Sequence, residues 1–244
     1  MLGCVVYVGF VMFCTKCGSE QVFRSGFVKG EQRYRCKECG RQIVPTRHHG
    51  KSETQKLTAI LLYINGLSLR TIARLIHVTA TAVLKWVRQY ALENYEKPKP
   101  QQNTTAIVIE LDEVWHYLKS KKNKLWIWKA YCRSTNQLLD WECGNRDSKT
   151  LQRLLDRLRQ WSVKVFFADH WEAYAELIPK ELLVQTKAET HGVERDNFRQ
   201  RHWFARFRRK TCVVSRSQQM VDLTMSLYAK FWVNSTFNAT TLFS

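Results

Sequence analysis

Four cysteines near the start of the chain have the spacing of a metal site. They form two Cys-x-x-Cys pairs that are 18 residues apart, Cys14 with Cys17 and Cys36 with Cys39. A two-residue gap lets both thiolates of a pair turn toward one ion, and Gly18 or Gly40 relaxes the backbone after each pair. Four sulfur ligands complete the tetrahedral site of structural zinc and leave no position for a reactant. We therefore expect one structural Zn²⁺ rather than incidental thiols or a redox pair.

Three carboxylates in the second half of the chain are candidates for a different metal site. Asp112 lies in a strand-like run, Asp169 directly follows another, and Glu194 begins a helix-like run. Carboxylate oxygens bind Mg²⁺ or Mn²⁺, and two such ions in one site promote phosphoryl transfer by activating the attacking and the leaving oxygen. Each residue also has a plainer interpretation, as a solvated charge, a helix cap or an acid at a helix start. Asp196 is the nearest rival for the third position.

The charge of the chain indicates a polyanionic partner. Its 244 residues include 39 Lys and Arg against 21 Asp and Glu, which leaves a net charge of +18. An enzyme for a small neutral substrate does not need that excess, whereas nucleic-acid phosphates favour clustered Lys and Arg. A hydrophobic fraction of 45% excludes a disordered basic protein.

The first 14 residues provide evidence about the cellular location of the protein. The apolar run Leu2–Cys14 is shorter than the roughly 20 residues that span a bilayer, and no basic residue precedes it as in an export signal. We expect no membrane association and a reducing, cytoplasmic location, where disulfides are rare. Residues 1–11 are expected to be an unfolded leader, with Met12 as the natural start. The other cysteines are expected to be plain core or surface thiols: Cys4, Cys132, Cys143 and Cys212.

The zinc site needs a scaffold, and residues 12–47 are predicted to supply it as a zinc ribbon. Gln21–Val28 and Gln32–Arg35 are typical of short strands, and Lys29-Gly30 is typical of the turn between them. So small a module has almost no hydrophobic core, so metal binding supplies its folding free energy.

Residues 48–95 are predicted to form a helix-turn-helix of three helices. The expected helices are Ser52–Asn65, Leu69–Ile76 with Ser68 as its cap, and a third from the cap Thr79 to about Asn94. Such a module presents its third helix to the DNA major groove. The residues expected to face the DNA are Thr79, Thr81, Lys85 and Arg88. A plain three-helix bundle is the alternative, and His77 stands where such turns usually have glycine.

The carboxylates need a sheet that brings them together. Residues 96–104, with Pro98 and Pro100, are expected to be a linker to a catalytic domain over residues 105–244. The predicted order of elements is β-β-β-α-β-α-β-α, which is typical of a ribonuclease-H-like α/β domain with a mixed sheet. The predicted elements are strands Ala106–Leu118, Leu125–Arg133 and Gln137–Asn145, helix Ser148–Trp161, strand Val163–Ala168, helix His170–Leu177, strand Leu182–Gln185 and two helices within 189–233. The whole chain is thus expected to be an α+β multidomain protein.

A basic stripe follows Glu194. Asn197 and Arg201 stand three and seven residues after Glu194, on its helical face, and are expected to contact phosphate or to orient the carboxylate. Aromatic residues interleave with the stripe and are expected to be core. The complete set of expected DNA contacts here is Asn197, Arg201, Arg206, Arg208, Arg209 and Lys210.

Residues 14–237 resemble the transposases of the insertion-sequence-one family. The resemblance rests on the cysteine pairs with Gln32-Arg33-Tyr34, on Glu110-Leu111-Asp112-Glu113-x-Trp115, and on Ala168-Asp169-x-Trp171-x-x-Tyr174. It continues in Glu194-Arg195-x-Asn197-x-x-x-Arg201 and in the later strings Arg208-Arg209-Lys210-Thr211 and Ser215-Arg216-Ser217.

The resemblance implies an Asp-Asp-Glu transposase that cuts the inverted-repeat ends of an insertion sequence and joins them to target DNA. It implies that Asp112, Asp169 and Glu194 hold two Mg²⁺ or Mn²⁺ ions per active site. The implied partners are double-stranded DNA, both ends and target, and further copies of the chain on that DNA, with no nucleotide cofactor. The implied location is the nucleoid region of a bacterial or archaeal cytoplasm.

Three alternatives remain open: a DNA-binding regulator, a degenerate transposase copy that binds without cutting, and a nuclease on the same fold. The presence of a predicted sequence reader argues against a structure-selective nuclease. All three carboxylates and the basic stripe are present, so the sequence shows no sign of decay.

Overall fold

The computed structural model describes residues 7–8, 11–14, 16–28, 30–44, 51–100, 106–186, 188–208 and 210–234, with only the backbone at 7–8 and 11–12. Arg209 and Cys4 therefore lie outside the described residues. Contacts divide the chain into two compact units, Met1–Ser52 and Glu53–Ser244, and each is treated by itself. No helix among the described residues has the length and apolarity needed to cross a bilayer.

The first unit is built from short antiparallel strands. Strands β1 (Tyr7–Val8) and β2 (Val11–Met12) pair with each other, so this part of the expected unfolded leader has regular structure. Their valine and tyrosine residues favour strand pairing. Strands β3 (Val22–Val28), β4 (Glu31–Cys36) and β5 (Gln42–Ile43) form a second sheet in that order. The predicted hairpin is confirmed.

The second unit begins with the three predicted helices, α1 (Glu53–Ile64), α2 (Leu69–Leu75) and α3 (Ala80–Glu93). Both predicted caps are present, because Ser68 Oγ accepts the Thr71 N–H and Thr79 Oγ1 accepts the Ala82 N–H. His77 takes the left-handed conformation that the turn requires, with φ at 52°. The helix-turn-helix geometry is thus formed without glycine at that position.

A five-stranded mixed sheet forms the rest of the unit. Its strands are β6 (Ile107–Tyr117), β7 (Lys124–Cys132), β8 (Gln137–Gly144), β9 (Val163–Ala168) and β10 (Leu183–Gln185). The spatial order is β10-β9-β6-β7-β8, with antiparallel pairing among β6, β7 and β8 and parallel pairing from β6 to β9 and from β9 to β10. The predicted three-strand meander with later crossover strands is therefore present.

Four α-helices accompany the sheet: α4 (Ser148–Leu158), α5 (Glu172–Leu177), α6 (His191–Trp203) and α7 (Gln218–Tyr228). A short 3-10 turn, Ala205–Phe207, follows α6, and a π-helical stretch, Ala229–Val233, follows α7. Helix α4 ends three residues before the predicted end, and α5 begins two residues after the predicted start. One core lies between the sheet and α4 and α5.

The second core joins the three N-terminal helices to the sheet, which corrects the expected separation of these parts. Residues of α1, α2 and α3 belong to one buried cluster with residues of β6, β7, β8 and α7. Tyr63 Oη and Thr224 Oγ1 lie 2.8 Å apart in it, and Trp232 Nε1 donates to the Ile64 carbonyl at 2.9 Å. The expected linker is also anchored at its start, because Lys97 Nζ contacts Asp140 Oδ1 at 2.6 Å. Apolar faces on both parts exclude water by packing together, and the two prolines do not prevent this.

Candidate functional site

The register of two parallel strands aligns two of the candidate carboxylates. Ile109 pairs with Phe166 and Glu110 pairs with Phe167. Continuing both strands by two residues brings Asp112 level with Asp169, just past the end of β9. Burial raises the pKa of Asp112 above its ordinary value, and the negative charge of Asp169 adds to the rise, while Asn197 and Lys129 oppose it.

Asp169 also has the helix-start role that was the plainer interpretation. Its Oδ1 accepts the Trp171 N–H at 2.9 Å, and its backbone carbonyl accepts Nε2 of Gln185 at 3.0 Å. These contacts fix the turn between β9 and α5. The second carboxylate oxygen has no contact of this kind to the turn, so a helix-start role and a ligand role are compatible.

Helix α6 carries Glu194 on its outer face. Its buried stripe consists of Val193, Asp196, Asn197 and Gln200. Glu194 is exposed near the helix start, and Thr190 Oγ1 lies 3.5 Å from its Oε1. Glu194 and Asn197 are separated by about 4.5 Å along the helix axis, because each residue rises about 1.5 Å.

Asn197 connects α6 to the first carboxylate. Its Nδ2 donates to Oδ2 of Asp112, and its Oδ1 accepts Nζ of Lys129 at 3.0 Å. Asn197 is 5% exposed, so the expectation that it contacts DNA is wrong. The alternative expectation, that it orients the carboxylate, agrees with this geometry.

Lys129 was missed by the sequence interpretation. It is the cross-strand neighbour of Asp112, is fully buried, and forms an ion pair with Asp196. Its Nζ also donates to Gln200 Oε1 at 3.1 Å, and Tyr228 Oη donates to the Asp196 carbonyl at 2.9 Å. A lysine within the apolar run of β7 was the available signal, because a buried charge needs a partner. Asp196 is thus committed to a buried ion pair and is no rival to Glu194.

Glu110 fixes the start of α6. Thr190, at the N-cap position, makes no side-chain cap. Glu110 Oε2 instead accepts the Val193 N–H at 2.8 Å, while its Oε1 accepts Nε of Arg133 at 2.8 Å. A Cβ on Gly192 would lie 2.8 Å from the same carboxylate, so the close approach requires glycine there. Strand β6 therefore holds α6 at two points on one face, Glu110 and Asp112.

Glu113 lies on the opposite face of β6. Its Oε2 accepts the hydroxyl of Tyr174 at 3.0 Å and its Oε1 accepts Nε of Arg146 at 2.7 Å. Burial raises the pKa of Glu113 despite the arginine. Tyr174 is fully buried in this arrangement.

The basic stripe is divided by burial. Arg206 is only 7% exposed, and its Nη1 donates to Ser215 Oγ at 3.4 Å. Its charge adds to the effect of burial in lowering the pKa of His116. The expected phosphate contact at Arg206 is therefore wrong. Arg208 and Lys210 are exposed and Arg201 is half-buried. The Arg206 guanidinium also lies over the Tyr63 ring, in a cation–π contact. The aromatics Phe204 and Phe207 are core, as expected.

The proposed reading helix presents a polar outer face. The side chains of α3 and its cap that were expected to face DNA are all exposed: Thr79, Thr81, Lys85 and Arg88. The inner face buries Val83, Val87 and Ala91. The exposure of these four side chains is what a DNA-reading role requires, and their contacts with bases stay a prediction.

The four cysteines converge on one point. Their sulfur atoms all lie within 4.8 Å of one another, with Cys14–Cys39 and Cys17–Cys36 distances of 3.5 Å. A tetrahedral Zn²⁺ with 2.3 Å bonds requires sulfur separations of about 3.8 Å. The N–H of Cys17, followed by that of Lys16, lowers the pKa of Cys14 to about 6, which favours the thiolate. Gly18 and Gly40 have positive φ after each pair, at 74° and 66°.

Across the described ranges, these cysteines are the one group of three or more possible ligands with donor atoms that close together. Asp112, Asp169 and Glu194 do not meet that distance. The strand register thus aligns Asp112 with Asp169. Glu194 lies within one helical turn of Asn197, which contacts Asp112.

Comparison with known proteins identifies the family. The sequence profile described as IS1 transposase matches residues 105–233, more than half of the chain, and a profile described as a homeodomain-like domain matches residues 51–99. The insertion element iso-IS1n protein InsB of Shigella dysenteriae is 33% identical over 123 residues, which are 50% of this chain and 94% of that protein. The insertion element IS1 protein InsB of Shigella flexneri is 32% identical over 122 residues, 50% of this chain and 93% of that protein.

Among solved structures, the Mos1 mariner paired end complex with Mn covers 76% of this chain and 74% of its own at 11% identity, with a TM-score of 0.31 that is too low to bear on the fold. The profile match and the Shigella relatives decide the assignment. The chain therefore belongs to the IS1 family of DNA transposases.

Proposed function

We propose that this chain is an Asp-Asp-Glu transposase with a ribonuclease-H-like catalytic domain. It cuts double-stranded DNA at the inverted-repeat ends of an insertion sequence and joins those ends to target DNA. One observation carries the proposal: the β6–β9 register aligns Asp112 with Asp169, and Asn197 of α6 bonds Asp112. Glu194 follows as the third ligand, one turn from that bond.

The strand arrangement supports the ribonuclease-H-like assignment. Three antiparallel strands are followed by two strands that add in parallel beside the first, in the order β10-β9-β6-β7-β8. The central strand β6 carries Asp112, and the end of β9 is the position where loops form sites in such sheets. The match is one of topology, and the carboxylate positions follow from it.

The three carboxylates suit hard divalent cations. Burial raises the pKa of Asp112 and the charge of Asp169 adds to the rise, and a cation between the two carboxylates relieves their repulsion. Two Mg²⁺ or Mn²⁺ ions supply an activated oxygen nucleophile and stabilise the leaving oxygen when bound. Asn197 holds Asp112 in one orientation, and Glu110 holds the start of α6, so the chain fixes the spacing of its own ligands.

The remaining parts of the chain serve DNA recognition and folding. The cysteine cluster holds one Zn²⁺, and the outer face of α3 reads the transposon end. Because two ends must be brought together before joining, the chain acts as a homo-oligomer on DNA. Its place of action is the nucleoid region of the cytoplasm.

Replacement of each carboxylate by alanine tests the proposal. We expect Asp112→Ala, Asp169→Ala and Glu194→Ala each to lower Mg²⁺- or Mn²⁺-dependent cleavage of end DNA by several orders of magnitude while DNA binding persists. Glu172→Ala is the matched control, because Glu172 is an exposed acid in the first turn of α5. Unchanged cleavage by Glu194→Ala contradicts the assignment of the third ligand.

One observation favours a second function, that of a DNA-binding protein without catalysis. The three carboxylates do not lie within 4.8 Å of one another, whereas the four cysteines do. The same cleavage assay separates the two functions: a chain that binds end DNA and leaves it uncut with either metal ion is the non-catalytic form.

A further inference from the structure

The outer face of α6 beyond Glu194 bears an exposed aromatic side chain. Phe198 is 72% exposed, although the opposite face of the helix is fully buried. Phe198 stands four residues after Glu194, so both side chains project from one face, about 6 Å apart along the axis. That distance corresponds to about two base-pair rises of DNA.

Phe198 forms one wall of a pocket. The pocket has a volume of about 510 Å³ and is lined by Phe198, Arg201, His202 and Arg208. An exposed phenyl ring and an imidazole thus share a pocket with two guanidinium groups. We propose that this pocket binds one unpaired nucleotide of the DNA end, with its base against Phe198 and His202 and its phosphate against Arg208.

Contacts with neighbouring residues hold the lining of the pocket in place. Arg208 NH2 donates to the His202 carbonyl at 3.3 Å, which holds the guanidinium against the end of α6. Trp203, the next residue, stacks on Trp232 with ring centroids 3.5 Å apart. Gly66, between α1 and α2, approaches so closely that a Cβ there would lie 2.7 Å from the Trp203 carbonyl and 3.2 Å from Arg208 NH2.

The chemistry of the lining favours a nucleotide over an apolar partner. Guanidinium groups bind phosphate, and aromatic faces stack on bases of any sequence. A base inside a duplex offers only its edge, so stacking on Phe198 requires the base to leave the helix. Unpairing next to the scissile phosphate also gives the carboxylates access to it. The inference rests on the proposed function, because it places this nucleotide beside Glu194.

Kinetics on paired and unpaired DNA ends test the pocket. We expect Phe198→Ala to cleave fully paired end DNA about 10-fold to 100-fold more slowly than the unchanged chain, because stacking of one base is lost. On ends with two mismatched base pairs at the cleavage position, the variant is expected to recover to within about 3-fold, since unpairing is already done. Phe198→Tyr keeps the ring and is expected to recover most of the rate that Phe198→Ala loses.

A second readout does not depend on cleavage. End DNA with 2-aminopurine at each position around the cleavage site is bound in the presence of Ca²⁺, and the fluorescence reports an unstacked base. One position is expected to change with the unchanged chain and not with Phe198→Ala or Arg208→Gln. Val184→Ala, which removes an exposed apolar side chain from β10, is the control and is expected to change neither readout.

The outcomes separate this inference from the proposed function. Equal slowing of Phe198→Ala on paired and mismatched ends, or no slowing, overturns the pocket while cleavage by the unchanged chain leaves the transposase assignment in place. A loss of self-association in Phe198→Ala with unchanged 2-aminopurine signals also overturns it, and makes the pocket a contact between copies of the chain. Absence of cleavage by the unchanged chain on both DNAs overturns the proposed function itself.

Discussion

The side-chain amide of Asn197 donates to Oδ2 of Asp112, and this bond ties helix α6 to strand β6. The carbonyl of the same amide accepts Nζ of the buried Lys129 at 3.0 Å. Because Asn197 has both bonds, its side chain has one orientation, and Asp112 receives its donor from a fixed direction. The distance from the first carboxylate to the helix of Glu194 is therefore set by a single residue between them.

Replacement of Asn197 should damage cleavage more than binding. We expect Asn197→Ala to lower cleavage at saturating Mg²⁺ by about 100-fold, because displacements near 1 Å have effects of that size. Asn197→Asp is expected to be slower still, since a second carboxylate then faces Asp112. Single-turnover cleavage and a DNA-binding titration on the same variants measure the two effects. Cleavage by Asn197→Ala at the rate of the unchanged chain would remove Asn197 from the site.

Glu110 should matter for stability as well as for cleavage. Glu110→Ala leaves the Val193 N–H without its acceptor and removes one of the two carboxylates that contact Arg133, so we expect the free energy of unfolding to fall by about 1–3 kcal/mol. Glu189→Ala is the matched control, because its carboxylate contacts the same arginine from an exposed position and should cost less than about 0.5 kcal/mol. Urea unfolding followed by tryptophan fluorescence measures both, since all nine tryptophans lie after residue 52. Equal losses would contradict the capping role.

Removal of zinc should unfold only the first unit. We expect one Zn²⁺ per chain by metal analysis, lost in Cys36→Ser and retained in Cys212→Ser, whose exposed thiol lies outside the cluster. Among the described residues of the ribbon, the buried core consists of Cys14, Cys36 and Ile43, so the metal must supply the folding energy. A chelator should therefore abolish end-specific DNA binding while the tryptophan fluorescence of the second unit stays unchanged. Retention of zinc by Cys36→Ser would contradict the site.

Local patterns predicted most of the fold. Ser68 and Thr79 cap their helices because a hydroxyl before an apolar-periodic run satisfies the first N–H groups wherever it occurs. The two Cys-x-x-Cys pairs are likewise recognised from residues that are close in sequence. The union of the three helices with the sheet was not predictable in this way, because the Tyr63–Thr224 contact joins residues that are 161 positions apart.

The three carboxylates of the candidate site were named from the sequence and stay a prediction, whereas most of the residues that support them were not foreseen. Asp112 lies in the middle of β6, Asp169 follows the end of β9, and Glu194 lies near the start of α6. Asn197 was assigned to phosphate or to the carboxylate from its helical spacing, and Arg206 was assigned to DNA as part of the basic stripe, yet both side chains are buried. Burial depends on which elements pack around a helix. The residue pattern of that helix alone does not show this.

The lowered pKa of His116 should make the free energy of unfolding depend on pH. Burial, with the charge of Arg206, lowers the pKa of His116 to about 4, against an ordinary value near 6.5. Between these values the unfolded chain binds a proton that the folded chain does not, so stability falls as the pH falls from about 6.5 to about 4. From pH 7.5 to pH 4.5 this contribution is about 2–3 kcal/mol.

His116→Gln should remove that contribution. We expect the free energy of unfolding of the variant to fall less than that of the unchanged chain over the same pH range, by up to about 2–3 kcal/mol. His170→Gln is the control, because it makes the same replacement at an exposed histidine. Urea unfolding by tryptophan fluorescence at the two pH values gives the comparison. Identical pH dependence in both variants would show that His116 titrates in the folded chain as an ordinary histidine.

Substitutions on α3 and at Arg208 should impair two different properties of DNA binding, sequence discrimination and overall affinity. Lys85 and Arg88 project from α3, whereas Arg208 lies beside the pocket at the end of α6. We expect Lys85→Ala or Arg88→Ala to reduce the discrimination between inverted-repeat and random DNA, since base-edge contacts carry about 1–3 kcal/mol of it each. Arg208→Ala is expected to weaken binding to both DNAs alike and to lower the salt slope by about one unit, as the loss of one phosphate contact does.

Binding titrations on both DNAs at several salt concentrations measure these effects. Lys121→Ala is the charge-matched control, because it removes one exposed positive charge from the turn between β6 and β7. Its loss of affinity should be small and equal for the two DNAs, since an exposed charge outside the contact surface acts only through the overall field. Equal loss of discrimination from α3 and from Arg208 would mean that sequence is also read at the catalytic domain. No loss from Lys85 or Arg88 would mean that α1, α2 and α3 are a packing element of the shared core and not the reader of the transposon end.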